Sequence, residues 1–219
     1  MIVKSFELDK IPKQKYNYFL FYGENQGLKA ELIKKNFEIN FSKKIYRYDE
    51  KEILNNKENF FNTLLIKSFF EDQKLIIIER ATDKIKEIIE ESIKRKNDDI
   101  TIILNSNTLE KKSKLRTLFE KEKQTICVPI YEDNIQTLNS IISQFLRNRK
   151  IPISQKLTNI LIERSRGDRK NLNNELEKIE SFSLNKKNIT LQEIIKLTNL
   201  ADNYSAAELI DHSLAKNTR

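Results

Sequence analysis

Five short apolar runs punctuate the first 134 residues. They are "NYFLFYG" (17–23), "KKIYRYDE" (43–50), "KLIIIER" (74–80), "DDITIILNS" (98–106) and "TICVPIY" (125–131). Each reads as a strand. "KLIIIER" is apolar throughout its middle, as strands of a parallel sheet buried on both faces are. Between the runs the spacing turns helical. Leu28, Leu32 and Ile33 form a stripe in "LKAELIKKNF", and Ile85, Ile88, Ile89 and Ile93 one in "ATDKIKEIIEESIKRK". "FFNTLLIKSFF" and "KKSKLRTLFEKEK" complete the set. Strands alternating with helices predict βαβ units around a mainly parallel sheet, an α/β domain of mononucleotide-binding type over 1–134. From 135 to 203 the strand signal disappears. Four helices are expected there, with Ser154 and Thr190 as N-caps. "SAAELIDHSLAKNTR" begins one more helix, with Ser205 and Glu208 spaced as a capping box. Residues 204–219 therefore read as the start of a third domain cut short, or as a simple C-terminal tail helix.

Composition refines this picture. A length of 219 residues suits one large or two modest domains, and three Gly and three Pro leave little room for long linkers. The net charge of +8 would attract a phosphate backbone, although the Lys, Ile and Asn bias of the whole chain accounts for it as well. Cys127 is the only cysteine and His212 the only histidine. An intramolecular disulfide, a thiolate metal site and a His-based triad are thereby excluded. Cys127 lies in an apolar strand and is expected to be a buried, inert thiol. The N-terminal "MIVKSFELDK" lacks a long apolar core, and no run of about 18 apolar residues occurs. A cytoplasmic chain without membrane partner is expected.

"YGENQGLKAELI" invites comparison with the phosphate loop G-x-x-x-x-G-K-[ST]. Paired with Gly27, Gly23 is one residue too close, Leu28 stands at the Lys position, and Lys29 is followed by Ala30 instead of a hydroxyl. After the third strand "LIIIERATD" offers only Glu79, followed by Arg80, where a metal site favours two acids. The sequence thus predicts nucleotide-binding architecture without its chemistry, with no cofactor and no metal. Asn105 occupies a sensor-like position at a strand end or is a simple turn residue. Arg169 stands where a lid would carry a phosphate-sensing Arg, or it pairs with Asp168 or Glu175. Lys111, Lys112, Lys114 and Arg116 could meet DNA phosphate, or form a solvated helix face.

Phe69 and Phe70 are adjacent, so they cannot share a face on helix or strand. One of the two surfaces they serve is a candidate partner surface. Taken in order, "FLFYGENQGL", "SFFEDQKLIIIERA", "NTLEKKSKLRTLFEK", "CVPIYEDN" and "SRGDRKNLNNELEKIESF" resemble the delta-subunit family of bacterial DNA polymerase III clamp loaders. The resemblance implies an AAA+-like α/β domain, a helical lid and a collar. It also implies a non-catalytic role in the polymerase holoenzyme, opening the sliding clamp (the beta subunit) for loading onto primed DNA. On that resemblance Ser68, Phe69 and Phe70 are the clamp-binding element, with two apolar plugs for a clamp pocket. A fully buried Phe stabilises by about 1.5–3 kcal/mol, so two could hold a clamp subunit open without hydrolysis by this chain. A short collar implies weak joining to the other loader subunits. A divergent P-loop NTPase and a basic DNA-binding module remain the alternatives.

Overall fold

The computed structural model describes residues 1–65, 73–95, 97–151, 154–184 and 190–197. The chain divides into two units, Met1–Glu132 and Asp133–Arg219. The proposed clamp-binding residues Ser68, Phe69 and Phe70, and the 204–219 helix with His212, lie outside the described residues.

The first unit is built on five parallel strands: β1 (Tyr18–Tyr22), β2 (Ile45–Asp49), β3 (Lys74–Glu79), β4 (Ile100–Ser106) and β5 (Thr125–Pro129). Their order is β2-β3-β4-β1-β5. All four neighbouring pairs are parallel, with Tyr18 of β1 opposite both Ile102 and Thr125. Alternation along each strand divides the core in two. Leu20, Ile76, Ile78, Ile102 and Leu104 face one apolar cluster, and Phe19, Phe21, Ile77, Ile103 and Val128 face the other. The first cluster is closed by α2 (Glu50–Asn55), α3 (Lys57–Leu65), α4 (Lys86–Lys94) and α5 (Lys114–Lys121), the second by α1 (Gln26–Ile33) and the N-terminal segment. Helices on both faces explain why the strands read as nearly continuous apolar runs.

Three local features depart from the periodic reading. The strand expected over 43–50 stops at Asp49, which caps a short helix in a capping box with Glu52. Helix α1 ends at Ile33 and runs on as a π-helical turn, Lys34–Glu38. The N-terminus forms 3-10 turns over Ser5–Lys10 and Lys13–Lys15, which bury Leu8, and Ile2 bridges to Cys127 at the edge of β5. The Lys74 ammonium donates to Thr63 O at 2.6 Å and Asn97 Nδ2 to Leu64 O at 3.3 Å, which ties α3 to β3 and to the chain before β4.

The second unit is helical across its described residues: α6 (Ile135–Asn148), α7 (Gln155–Ser165), α8 (Arg169–Ser183) and α9 (Leu191–Leu197). Leu138, Ile142, Leu146, Leu161, Leu172 and Ile179 form its core. Ser154 caps α7 through Leu157 N at 3.1 Å, and Thr190 forms a capping box with Glu193. No described helix is long and apolar enough to cross a membrane.

Candidate functional site

In an open parallel sheet, ligands sit outside the carboxyl ends of the strands where the winding reverses. Here that place lies between β1 and β4, and the β1–α1 loop fills it. Gly23 leaves β1 with φ +134°, and a Cβ there would stand 1.9 Å from Ile130 O. Several of the loop's polar groups find partners in the chain. Gly23 N donates to Asn107 O at 3.3 Å. Asn25 caps α1 by accepting from Leu28 N at 2.9 Å, and its amide donates to Tyr131 O at 3.2 Å. Gln26 Nε2 reaches Asn107 Oδ1 at 2.8 Å, and Thr108 Oγ1 reaches Glu24 Oε1 at 3.2 Å. Gly27 is buried in the first turn of the helix.

The side chain that the sequence reading passed over is Lys29. Counted from Gly23 alone, it falls at the Lys position of the phosphate loop, with Leu28 in place of the second Gly and Ala30 in place of the hydroxyl. Pairing Gly23 with Gly27 hid this register. Lys29 is completely buried, and its ammonium donates to Ser106 O at 2.5 Å, at the end of β4. Burial lowers its pKa from 10.5 to about 8, with the nearby Glu79 carboxylate opposing the shift. Glu79 accepts from Asn105 Nδ2 at 2.6 Å and lies 3.7 Å from Arg47 Nη1. Asn105 is thus tied across from β4 to β3, and its Oδ1 is buried without a hydrogen bond. Arg80, at φ 57°, turns out of β3 and pairs with Asp49.

A second knot holds the loop after β3. Glu50, on α2, accepts from Thr82 N at 2.6 Å. Asp83 accepts from Ser113 Oγ at 2.5 Å, from Leu115 N at 2.9 Å and from Lys114 N at 3.1 Å. It therefore caps α5 together with Ser113. Burial would raise its pKa, but the hydrogen bonds from Ser113, Leu115 and Lys114 outweigh burial and hold it below 3.8. In this way the Lys-Ser-Lys-Leu segment has a structural explanation in its serine.

The structure separates the basic cluster. Lys111, Lys112 and Lys114 are exposed, with Lys112 paired to Glu110 at 2.9 Å. Arg116 turns inward. Its Nε donates to Glu120 at 2.7 Å and its guanidinium lies 5.1 Å from the Tyr22 ring centroid. In the second unit Arg169 pairs with Asp133 at 2.9 Å, both side chains being at most 10% exposed. The sequence reading had offered Asp168 or Glu175 as the partner. Asp168 caps α8 through Asn171 N at 2.7 Å, and Glu175 takes Lys178 at 2.7 Å. Cys127 is fully buried, and desolvation pushes its thiol up to about 12.

Among solved structures, 98% of the chain aligns with 72% of the Bacillus subtilis DNA clamp loader delta protein, at 14% identity and a TM-score of 0.56. It aligns over 97% with 72% of the Thermotoga maritima RuvB Holliday junction branch migration motor, at 14% identity and a TM-score of 0.53. The fold is AAA+-like. No protein-family model and no curated protein matches the chain by sequence. Within the AAA+-like unit, the loop after β1 follows a phosphate loop in outline, while Lys29 and the Gly23 and Leu28 amides have partners within the chain.

Proposed function

We propose that this chain is a delta-type clamp-loader subunit, an AAA+-like protein that binds and opens a sliding clamp and does not itself hydrolyse ATP. The observation that carries the reading is the closed phosphate loop. With the Lys29 ammonium on Ser106 O and Leu28 N on Asn25 Oδ1, two of the donors that would cradle phosphate already have partners. The ordered resemblance of the sequence to the delta family supports the same reading, as does the fold shared with the Bacillus subtilis delta protein.

In this reading Ser68, Phe69 and Phe70 bind the clamp, primed DNA is met within the assembled loader, and the other loader subunits are contacted through a collar. Interface anchors of this kind cost about 2 kcal/mol or more each when truncated. Phe69→Ala with Phe70→Ala is therefore expected to weaken capture of the sliding clamp by about a thousandfold, with an unchanged melting curve. Clamp capture at wild-type strength by the double variant would remove these residues from the proposal.

A second reading, a divergent NTPase, draws on Lys29 at its register from Gly23 and on the unsatisfied Asn105 Oδ1. Calorimetric titration with Mg·ATP separates the two. Micromolar binding by the purified chain favours the NTPase, and no detectable heat favours the delta-type subunit.

A further inference from the structure

A cavity of about 450 Å³ opens at the amino ends of the strands, the opposite end of the sheet from the phosphate loop. Its size is that of a small-ligand site. Tyr16, Phe37 and Phe41 supply aromatic walls. Phe37 is braced edge-on by Phe19 at 4.7 Å, whereas Tyr16 and Phe41 make no ring contact among the described residues. Three exposed amide side chains line it, Gln14, Asn40 and Gln73. Asp98 and Asp99 line one side, Asp99 already with a partner in the chain. On the other, Lys13 lies 5.8 Å from the Phe37 centroid and donates to Asn36 Oδ1.

The backbone is irregular at this point too. Asn36 and Phe37 sit on the π-helical turn that extends α1, and such turns concentrate at functional sites. Lys13 and Lys74 bring positive charge to the lining beside the two aspartates.

Aromatic faces with amide, carboxylate and ammonium groups around them form a particular combination. A nucleobase offers a flat π-face to stack and an edge of alternating donors and acceptors that Asn, Gln and Asp side chains match. Its phosphate has Lys13 among the lining cations. We propose that this cavity binds a nucleobase with its phosphate, supplied by single-stranded nucleic acid or by a free mononucleotide. The proposal is independent of the clamp reading.

The probe is a single-stranded oligothymidylate carrying one central 2-aminopurine, whose fluorescence falls when it stacks. Wild-type protein is expected to quench it saturably. Phe41→Leu keeps the apolar packing and removes the π-face, and Asn40→Asp places a carboxylate at the mouth. Each is expected to weaken binding about tenfold, with an unchanged melting curve. Replacing Lys111, Lys112 and Lys114 by alanine is expected to leave binding within about twofold. Competition by AMP identifies a free nucleotide as the ligand. Saturable quenching that AMP does not relieve identifies an extended strand. No quenching, or quenching that survives both cavity variants, overturns the proposal, as does quenching lost only in the triple lysine variant.

Discussion

Lys29→Met tests the central feature of the site, an ammonium held in a dry position. Methionine keeps the length and most of the volume of the lysine stem and removes only the charge and the donors. Because the folded pKa is depressed from 10.5 to about 8, the native state releases this proton before the unfolded state does. Between those pH values the unfolded chain binds one proton more, so wild-type stability rises with pH there. The rise is worth 1.36 kcal/mol per pH unit, about 3 kcal/mol in all. The contribution is fully present above pH 10.5 and is lost as pH falls through 8. The variant has no such group. It also leaves Ser106 O without its donor, which adds a pH-independent cost of about 1–3 kcal/mol. Urea denaturation followed by circular dichroism, from pH 7 to pH 10.5, gives the difference between the two proteins. Other titrating groups cancel in that difference as long as they do not touch Lys29. The wild type is expected to gain about 3 kcal/mol on the variant across the interval, and nothing below pH 7.5. A difference that stays flat over the whole range would show that the ammonium reaches water, and the closed-loop argument would fail with it.

Two further substitutions probe the frame around that lysine and the second unit. Gly23→Ala forces a Cβ to 1.9 Å from Ile130 O at φ +134°; a loss of about 3 kcal/mol or more, read as a melting temperature lower by roughly 6–12 °C, is expected, and an unchanged melt would refute the close packing. Arg169→Met leaves Asp133 charged and nearly buried, which is expected to cost about 3–5 kcal/mol. Adding Asp133→Leu should restore much of that loss, and strictly additive losses in the double variant would show that the two side chains do not act as a pair.

What the sequence revealed, and what it did not, follows from the range over which each signal acts. The five strands are legible because each is a compact apolar run between polar breaks, and all five lie within a few residues of their expected places. Helix α2 is not legible as periodicity, since six residues make too few turns. Its signal is the Asp49–Glu52 capping box, which the strand reading of 43–50 absorbed. The caps at Ser154 and Thr190 are local and are found where the sequence put them. Partners distant in sequence are another matter. Nothing near Arg169 points to Asp133, 36 residues upstream, and nothing near Ser113 points to Asp83. The cavity behind Phe37 was invisible for the same reason, because the 3-10 turns, the π turn and the starts of three strands meet only in the fold.

The misread loop carries the wider lesson. A motif counted between two glycines treats both as fixed, yet only one is held by geometry. Gly23 has a positive φ and backbone oxygen against its α-carbon, so no other residue fits without strain. Gly27 is an ordinary helical residue in the first turn of α1. Registered on the glycine that the backbone requires, the lysine is in place, and what distinguishes this loop is the direction in which that lysine points. A lysine held on Ser106 O has a carbonyl acceptor inside the chain in place of a nucleotide's phosphate. The loop can then keep its shape with no ligand in it. On the proposed clamp-loader reading, that is the property a subunit needs to act as a lever in a machine whose fuel binds elsewhere.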